Sequence, residues 1–317
     1  MRIKPEKKVT MTAAADDDGR RLDRILRKSL PGLSLSAIHR LLRQGRVLVN
    51  GKPGRGNARI TSGERIVIEN CAAGGAVGGA VGGAVPPAAR LPAEPVEAPE
   101  ADLEILWETE DLLFINKPSG LAAHGYRSLD TLVQTYLAGK LPPSLSFKPG
   151  PLHRLDKPTS GVIVFSKTLA GARRFSNLLR EGRLVKQYLA LAEGRVETME
   201  TWEDTLQRDK NRRKTSPSAG NRSGARTAVT VVRPLTFMAG RTLILAEIHT
   251  GLTHQIRAQA AAHGHPLAGD RKYGGGFQPG GFFLHAWILR FPQDTPEAGL
   301  SVTAPPPERF RLPAGLS

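Results

Sequence analysis

The sequence predicts an α+β protein built on a central mixed, largely antiparallel sheet, with a small basic module ahead of it. Three observations lead there. Beyond residue 100, strand-like segments outnumber helical ones, and several follow one another with no helix between, which argues against a doubly wound fold. Residues 18–69 carry their own helix, helix and hairpin pattern. Between 70 and 100 the composition collapses to Gly, Ala and Pro. The expected organisation is an N-terminal module at 18–69, a flexible linker at 70–100 and a larger body at 101–317.

Within the module, Leu22, Ile25, Leu26 and Leu30 form a short helical stripe that leaves Arg24, Arg27 and Lys28 outward, and Pro31-Gly32 breaks it. Ser34 is placed to cap a second helix with Leu35, Ile38, Leu41 and Leu42 as its apolar face, and Gly45 ends it. Val47–Val49 then reaches Asn50-Gly51, a strong two-residue hairpin signal, and Ile66–Ile68 supplies a later strand. This order, and the run Ser36–Lys52 in particular, resembles an S4-like RNA-binding module. Arg40, Arg43, Arg46 and Lys52 are its candidate RNA contacts.

The linker contains three Gly-Gly-Ala-Val units, 74–77, 78–81 and 82–85, then Pro86-Pro87 and a Pro/Ala/Glu stretch. It lacks both a polar–apolar period and the bulk for a core. In the body, 105–107, 112–116, 161–165, 188–192, 227–232, 242–248 and 283–289 read as strands, and 129–138 and 168–180 as helices. The basic, aperiodic tract Arg208–Arg226, with Lys210, Arg212, Arg213, Lys214 and Arg222, reads as a long loop over the active-site face, ordered only when RNA binds.

Charge narrows the partners. The chain has 317 residues and a net charge of +16. Residues 1–70 hold 16 basic and 7 acidic side chains, residues 71–100 hold 1 and 3, and the remainder holds 28 and 19. The basic density is therefore highest at the N-terminus, as a nucleic-acid-binding module requires. No segment is apolar for the length of a spanning helix, and the basic start lacks a following apolar stretch, so the expected location is cytoplasmic. Cys71 is the only cysteine, which excludes an internal disulfide and a multi-thiolate zinc site.

The chemistry centres on His153-Arg154-Leu155-Asp156-Lys157-Pro158-Thr159-Ser160-Gly161. It sets one carboxylate among cations at a turn held by Pro158 and Gly161, just before the buried run Val162–Phe165. Such a carboxylate suits nucleophilic or base chemistry on an anionic polymer. Four further segments accompany it: Asp111–Leu121, which runs into a Lys-Pro turn; Lys186–Leu191, which sets Tyr188 beside a lysine; Gly251–Arg257; and Gly269–Gly274, with Leu284-His285-Ala286 beyond.

Together these segments resemble the RluA-type pseudouridine synthases, in particular the S4-bearing enzymes of large-subunit ribosomal RNA. The resemblance covers 18–69 and 101–291. It implies that specific uridines in RNA are isomerised to pseudouridine by Asp156. Tyr188 would pack against the target base, Arg257 would pair with the aspartate, and Arg154 would fill the space left by the extruded uridine. It also implies no cofactor, nucleotide or metal, and nothing in it demands more than a monomer. Around Arg257 the family commonly shows Gly-Arg-Thr-His-Gln-Ile-Arg-Val-His, whereas this chain has Leu252 for the first Arg and Ala258-Gln259 for Val-His.

Two rivals share parts of this pattern. A non-catalytic RNA-binding or ribosome-assembly factor could keep the fold, though intact Asp156, Tyr188 and Arg257 argue against it. A glycosidase needs paired carboxylates, and no second one stands in the Asp156 motif.

Overall fold

The computed structural model describes residues 8–69, 102–142, 144–209, 211–218 and 224–310. The expected linker at 70–100, Cys71, Lys210 and Arg222 lie outside the described residues. The chain divides into two compact units. Of the described residues, the first holds those up to 69 together with 137–142, 144–149 and 168–170, and the second holds the rest.

The first unit runs β1 (Val9–Thr12), β2 (Arg20–Arg21), α1 (Leu22–Ser29), α2 (Leu35–Arg43), β3 (Val47–Val49), β4 (Lys52–Pro53), β5 (Arg59–Ile60) and β6 (Arg65–Ile68). Four strands form one sheet in the order β1-β6-β3-β4. Ser34 Oγ accepts the Ala37 N–H at 3.2 Å and caps α2. At the other end Gly45 takes φ +68°, and the Gly45→Leu42 and Arg46→Leu41 bonds close the helix in a Schellman motif. Asn50 and Gly51, with φ 49° and 80°, make the two-residue hairpin between β3 and β4. Leu22, Ile25, Leu26, Ile38, Val47, Ile66 and Ile68 form the core. Leu35, expected on the apolar face of α2, is instead exposed, and the core contact of that helix falls to Ile38, Leu41 and Leu42. Upstream of residue 18, β1 pairs with β6, and the buried Asp17 carboxylate accepts from Ala14 N, Leu145 N and the Ser144 and Ser146 hydroxyls.

The second unit runs β7 (Ile105–Glu108), β8 (Leu112–Lys117), α3 (Leu129–Leu137), β9 (Gly150–Pro151), β10 (Ser160–Ser166), α4 (Leu169–Arg180), β11 (Val185–Glu193), β12 (Glu200–Asp209), β13 (Lys214–Pro217), β14 (Arg226–Met238), β15 (Arg241–Ile248), α5 (Gln255–Ala262), β16 (Leu284–Arg290) and β17 (Ser301–Thr303). Its 11-stranded sheet follows the order β13-β12-β14-β15-β11-β16-β10-β8-β7, with β17 added on β16 and β9 on β10. Among the described residues, β10 with β16 is the sole parallel pair, which gives the mixed, largely antiparallel sheet the sequence predicts. Two helices cover one face. Phe175 and Leu178 of α4 pack on Leu112, Phe114, Val162 and Val164, while Ile256 and Ala260 of α5 pack on Ala190, Ala192, Ala246 and Ile248.

Gly161 makes the parallel pairing possible. Its φ is +107°, and a Cβ built there would stand 2.1 Å from the Ala286 carbonyl oxygen. Only a residue without a side chain lets β10 approach β16 this closely.

Part of the tract expected as a long loop is strand: 208–209, 214–217 and 226 belong to β12, β13 and β14. β12 continues to Asp209, whose carboxylate accepts the Asn211 and Arg212 N–H groups and turns the chain, and β13 pairs back along Arg208 and Gln207. Residues 219–223, which follow, are outside the described set.

Candidate active site

A pocket of about 260 Å³ opens between α4 and α5. Its floor is Lys186 and Tyr188 of β11, Ile248 of β15, and Leu284 and Leu289 of β16; the 153–159 turn, with Asp156, forms its rim. Asp156 is the only carboxylate among the residues that line it.

Three backbone ties hold the Asp156 turn. Its own Thr159 N–H bonds back to the Asp156 carbonyl at 3.0 Å, Gly120 N–H reaches Lys157 O, and Ser119 Oγ reaches Pro158 O. Beneath them the wholly buried Lys117 donates from Nζ to the carbonyls of Pro118, Leu121 and Lys157 at 2.9, 2.7 and 3.1 Å. All three ammonium protons are thereby used. Burial draws the Lys117 ammonium down to about 8, against the opposing charge of Asp156. The Lys-Pro turn thus serves as an anchor for the turn that carries the carboxylate.

Arg257 comes from the first turn of α5 and donates from Nη1 to Asp156 at 2.7 Å. Its Nε and Nη2 go to the two oxygens of Asp270 at 2.6 and 2.9 Å. The guanidinium carbon lies over the rings of Phe282 and Tyr273, 4.1 and 5.0 Å from their centroids. Burial works against the cation, but the Asp270 bonds and the charges of Asp270 and Asp156 outweigh it and raise its pKa. Asp270 is therefore a second carboxylate near Asp156, yet it is buried and spent on Arg257, so the pair does not form the open dyad of a glycosidase.

His254, just before α5, adopts the left-handed conformation with φ 59°. Its Nε2 lies 3.7 Å from Asp156 Oδ2, and its Nδ1 lies 2.9 Å from the Tyr273 hydroxyl. Tyr188 and Lys186 are half-buried in the pocket floor. Burial, and after it the Asp156 charge, raises the Tyr188 phenol, which keeps its proton; burial lowers the Lys186 ammonium.

The residues expected from the sequence thus separate into two groups. Asp156, Arg257, Tyr188 and Arg154 share one pocket, with Arg154 on its exposed edge. Arg40 and Arg43 on α2, Arg46 after it and Lys52 on β4 are exposed in the first unit. The sequence leaves Asp270, Tyr273, Lys117 and Lys186 without roles, although each stands inside a segment it singles out. Gln255 and Gln259 explain why α5 was missed. These buried polar residues bond Val229 O, Thr230 and Trp202 O, so the six residues 255–260 are all buried and the helix shows no amphipathic stripe.

Three further histidines are engaged within the fold. His263 bonds Asp204 and stacks on Trp202, His265 bonds Glu193 O, and His285 is held between Ser160 and Ala304 O. Among the described residues no group of three or more His, Cys, Asp or Glu is placed to hold a metal ion.

Comparisons with known proteins agree with one another. Residues 111–262 match the family model described as RNA pseudouridylate synthase, and residues 20–66 match the S4 domain. A protein of Neisseria meningitidis named ribosomal large subunit pseudouridine synthase D is 32% identical, over 98% of this chain and 84% of its own length. An uncharacterised RNA pseudouridine synthase of Bacillus subtilis is 30% identical, over 95% of each. Among solved structures, human RNA pseudouridylate synthase domain containing 1 superposes with a TM-score of 0.54 at 24% identity, over 68% of this chain and 86% of that one, which supports the fold.

Proposed function

This chain belongs to the RNA pseudouridine synthase family, and from that premise we propose that Asp156 is its catalytic residue, with large-subunit ribosomal RNA as the substrate. The enzyme isomerises uridine in RNA to pseudouridine. The N1–C1′ bond breaks, a C5–C1′ bond forms, the C5 proton leaves and N1 gains one, so nothing is oxidised or reduced. On this proposal the enzyme works as a monomer in the cytoplasm and invokes no metal; the isomerisation is redox-neutral and intramolecular, so it calls for no redox or nucleotide cofactor.

The observation that carries the assignment is the Arg257–Asp156 pair at the rim of a pocket with no other carboxylate in its lining. A uridine must leave its stack to reach such a pocket. Asp156 would attack the sugar, deprotonate it or add to the ring, and Arg257 fixes the carboxylate for any of these. Tyr188 supplies a flat face for the uracil. The raised phenol favours stacking over base chemistry. Arg154 on the pocket edge would occupy the vacated stack. The S4-like module, through Arg40, Arg43, Arg46 and Lys52, would hold RNA phosphates. The substrate assignment rests on the names of the relatives.

Asp156→Asn tests the proposal. Tritium release from 5-tritiated uridine in ribosomal RNA should stop, while RNA affinity stays within about twofold. An Asn variant that released label at the wild-type rate would remove Asp156 from the chemistry.

A further inference from the structure

The catalytic carboxylate faces a second, neutral partner whose orientation is set elsewhere in the fold. Tyr273 Oη accepts the backbone N–H of Thr215 at 2.9 Å and lies 2.9 Å from His254 Nδ1. An N–H can only donate, so the phenol's own proton remains for His254 Nδ1. With Nδ1 accepting, the neutral imidazole carries its proton on Nε2, the nitrogen 3.7 Å from Asp156 Oδ2. The opposite tautomer would turn a lone pair toward a carboxylate and leave the Tyr273 proton without an acceptor among its bonded neighbours. Protonation of both nitrogens is opposed by burial and by Arg257, Lys272 and Arg208, with Asp156 acting the other way, and the imidazole pKa falls below its ordinary value.

Thr215 belongs to β13, the return strand of the hairpin that carries the exposed Arg208, Arg212 and Arg213. Around the phenol the two segments are stitched together. Thr215 Oγ1 donates to Thr253 O at 2.9 Å, Arg208 reaches Thr253 Oγ1 at 2.8 Å, Lys272 Nζ reaches Arg213 O at 2.7 Å, and the Lys214 ammonium sits 5.0 Å over the Tyr273 ring.

We propose that Tyr273 and His254 are positioning residues for Asp156. The phenol locks His254 with its Nε2–H toward the carboxylate, and through Thr215 it couples the seating of the basic β12–β13 hairpin to the reacting group. RNA phosphates drawn to the hairpin would thereby steady Asp156 as they bind. This inference rests on Asp156 being catalytic.

Two measurements test it. In the substrate-free wild-type protein, nitrogen NMR of His254 should show Nδ1 unprotonated and Nε2 protonated; the reverse assignment overturns the proposal without any activity assay. Tyr273→Phe removes the phenol proton and leaves both His254 Nδ1 and Thr215 N–H without their partner, so kcat should fall about tenfold while RNA affinity holds within about twofold. The His254 resonances should then report mixed tautomers. Wild-type kcat and an unchanged tautomer in this variant would refute the coupling even if Asp156→Asn is inactive. A wild-type protein that forms no pseudouridine would instead overturn the functional assignment alone.

Discussion

Arg257 gives Asp270 two of its donors, at 2.6 and 2.9 Å, and only then offers Nη1 to Asp156 at 2.7 Å. The buried carboxylate aims the guanidinium, and the guanidinium aims the carboxylate at the pocket rim. The family resemblance points to Arg257 and Asp156; the residue that orients them stands 13 positions beyond Arg257.

Asp270→Ala should therefore harm both stability and rate. Taking away one member of a buried ion pair costs about 3–5 kcal/mol when the other charge is stranded; Arg257 keeps Asp156, which puts the expected loss at the low end, about 3 kcal/mol. Urea unfolding should register that loss. In whatever fraction stays folded, kcat should drop at least about tenfold, with Arg257 no longer fixed.

Gly161→Ala should not be tolerated. The added methyl would sit against the Ala286 carbonyl, and φ +107° strains any side chain, so a destabilisation of at least about 3 kcal/mol is expected. Thermal melting of the purified variant checks this, and a melting temperature equal to the wild type would contradict the close β10–β16 approach.

Acid should weaken the catalytic unit in a defined window. His153 Nε2 accepts the Val164 N–H at 3.1 Å, which requires a neutral ring, and burial, followed by the Lys186 charge, lowers this imidazole from 6.5 to about 4. Between those values the unfolded chain binds the proton and the folded one does not, so stability falls as pH drops from 6.5 toward 4, by about 1.4 kcal/mol per pH unit. His285, lowered by burial to about 4, adds to the same window. His153→Gln keeps an acceptor and should flatten the slope of urea stability against pH by one proton's worth.

Removing the exposed charges of Arg43 and Arg46 should weaken RNA binding without changing kcat at saturation. Each lost phosphate contact should reduce the slope of log affinity against log salt by about 0.9 on duplex and about 0.7 on single-stranded RNA. A slope equal to the wild type's would remove these two side chains from the interface.

Local signals carried much of the fold. The Ser34 cap, Gly45, Asn50-Gly51 and the alternating runs all depend on neighbours within a few residues, and each forms where the pattern places it. What stayed hidden depends on distant partners. β12 turns Asp204 inward between Trp202 and Leu206, which breaks the apolar alternation; that carboxylate is satisfied by Gln259 and His263 some 55 and 59 positions away. β1 is short, and its role becomes visible only when β6 lies beside it. Asp156 and Arg257 could be singled out because their motifs are distinctive, whereas Tyr273 and His254 acquire meaning only through a hydroxyl shared with Thr215.

The parallel contact between β10 and β16 also sets an order of events. Ser160 and Gly161 meet His285 and Ala286, so the strand following the Asp156 turn, though paired on its other side with β8, keeps one edge open until a segment 125 residues later has been made. Arg257 and Asp270 lie in that same late stretch. A nascent chain that has emerged only as far as β15 would hold its aspartate on an unfinished edge, and catalytic competence would come late in synthesis, with the arrival of β16.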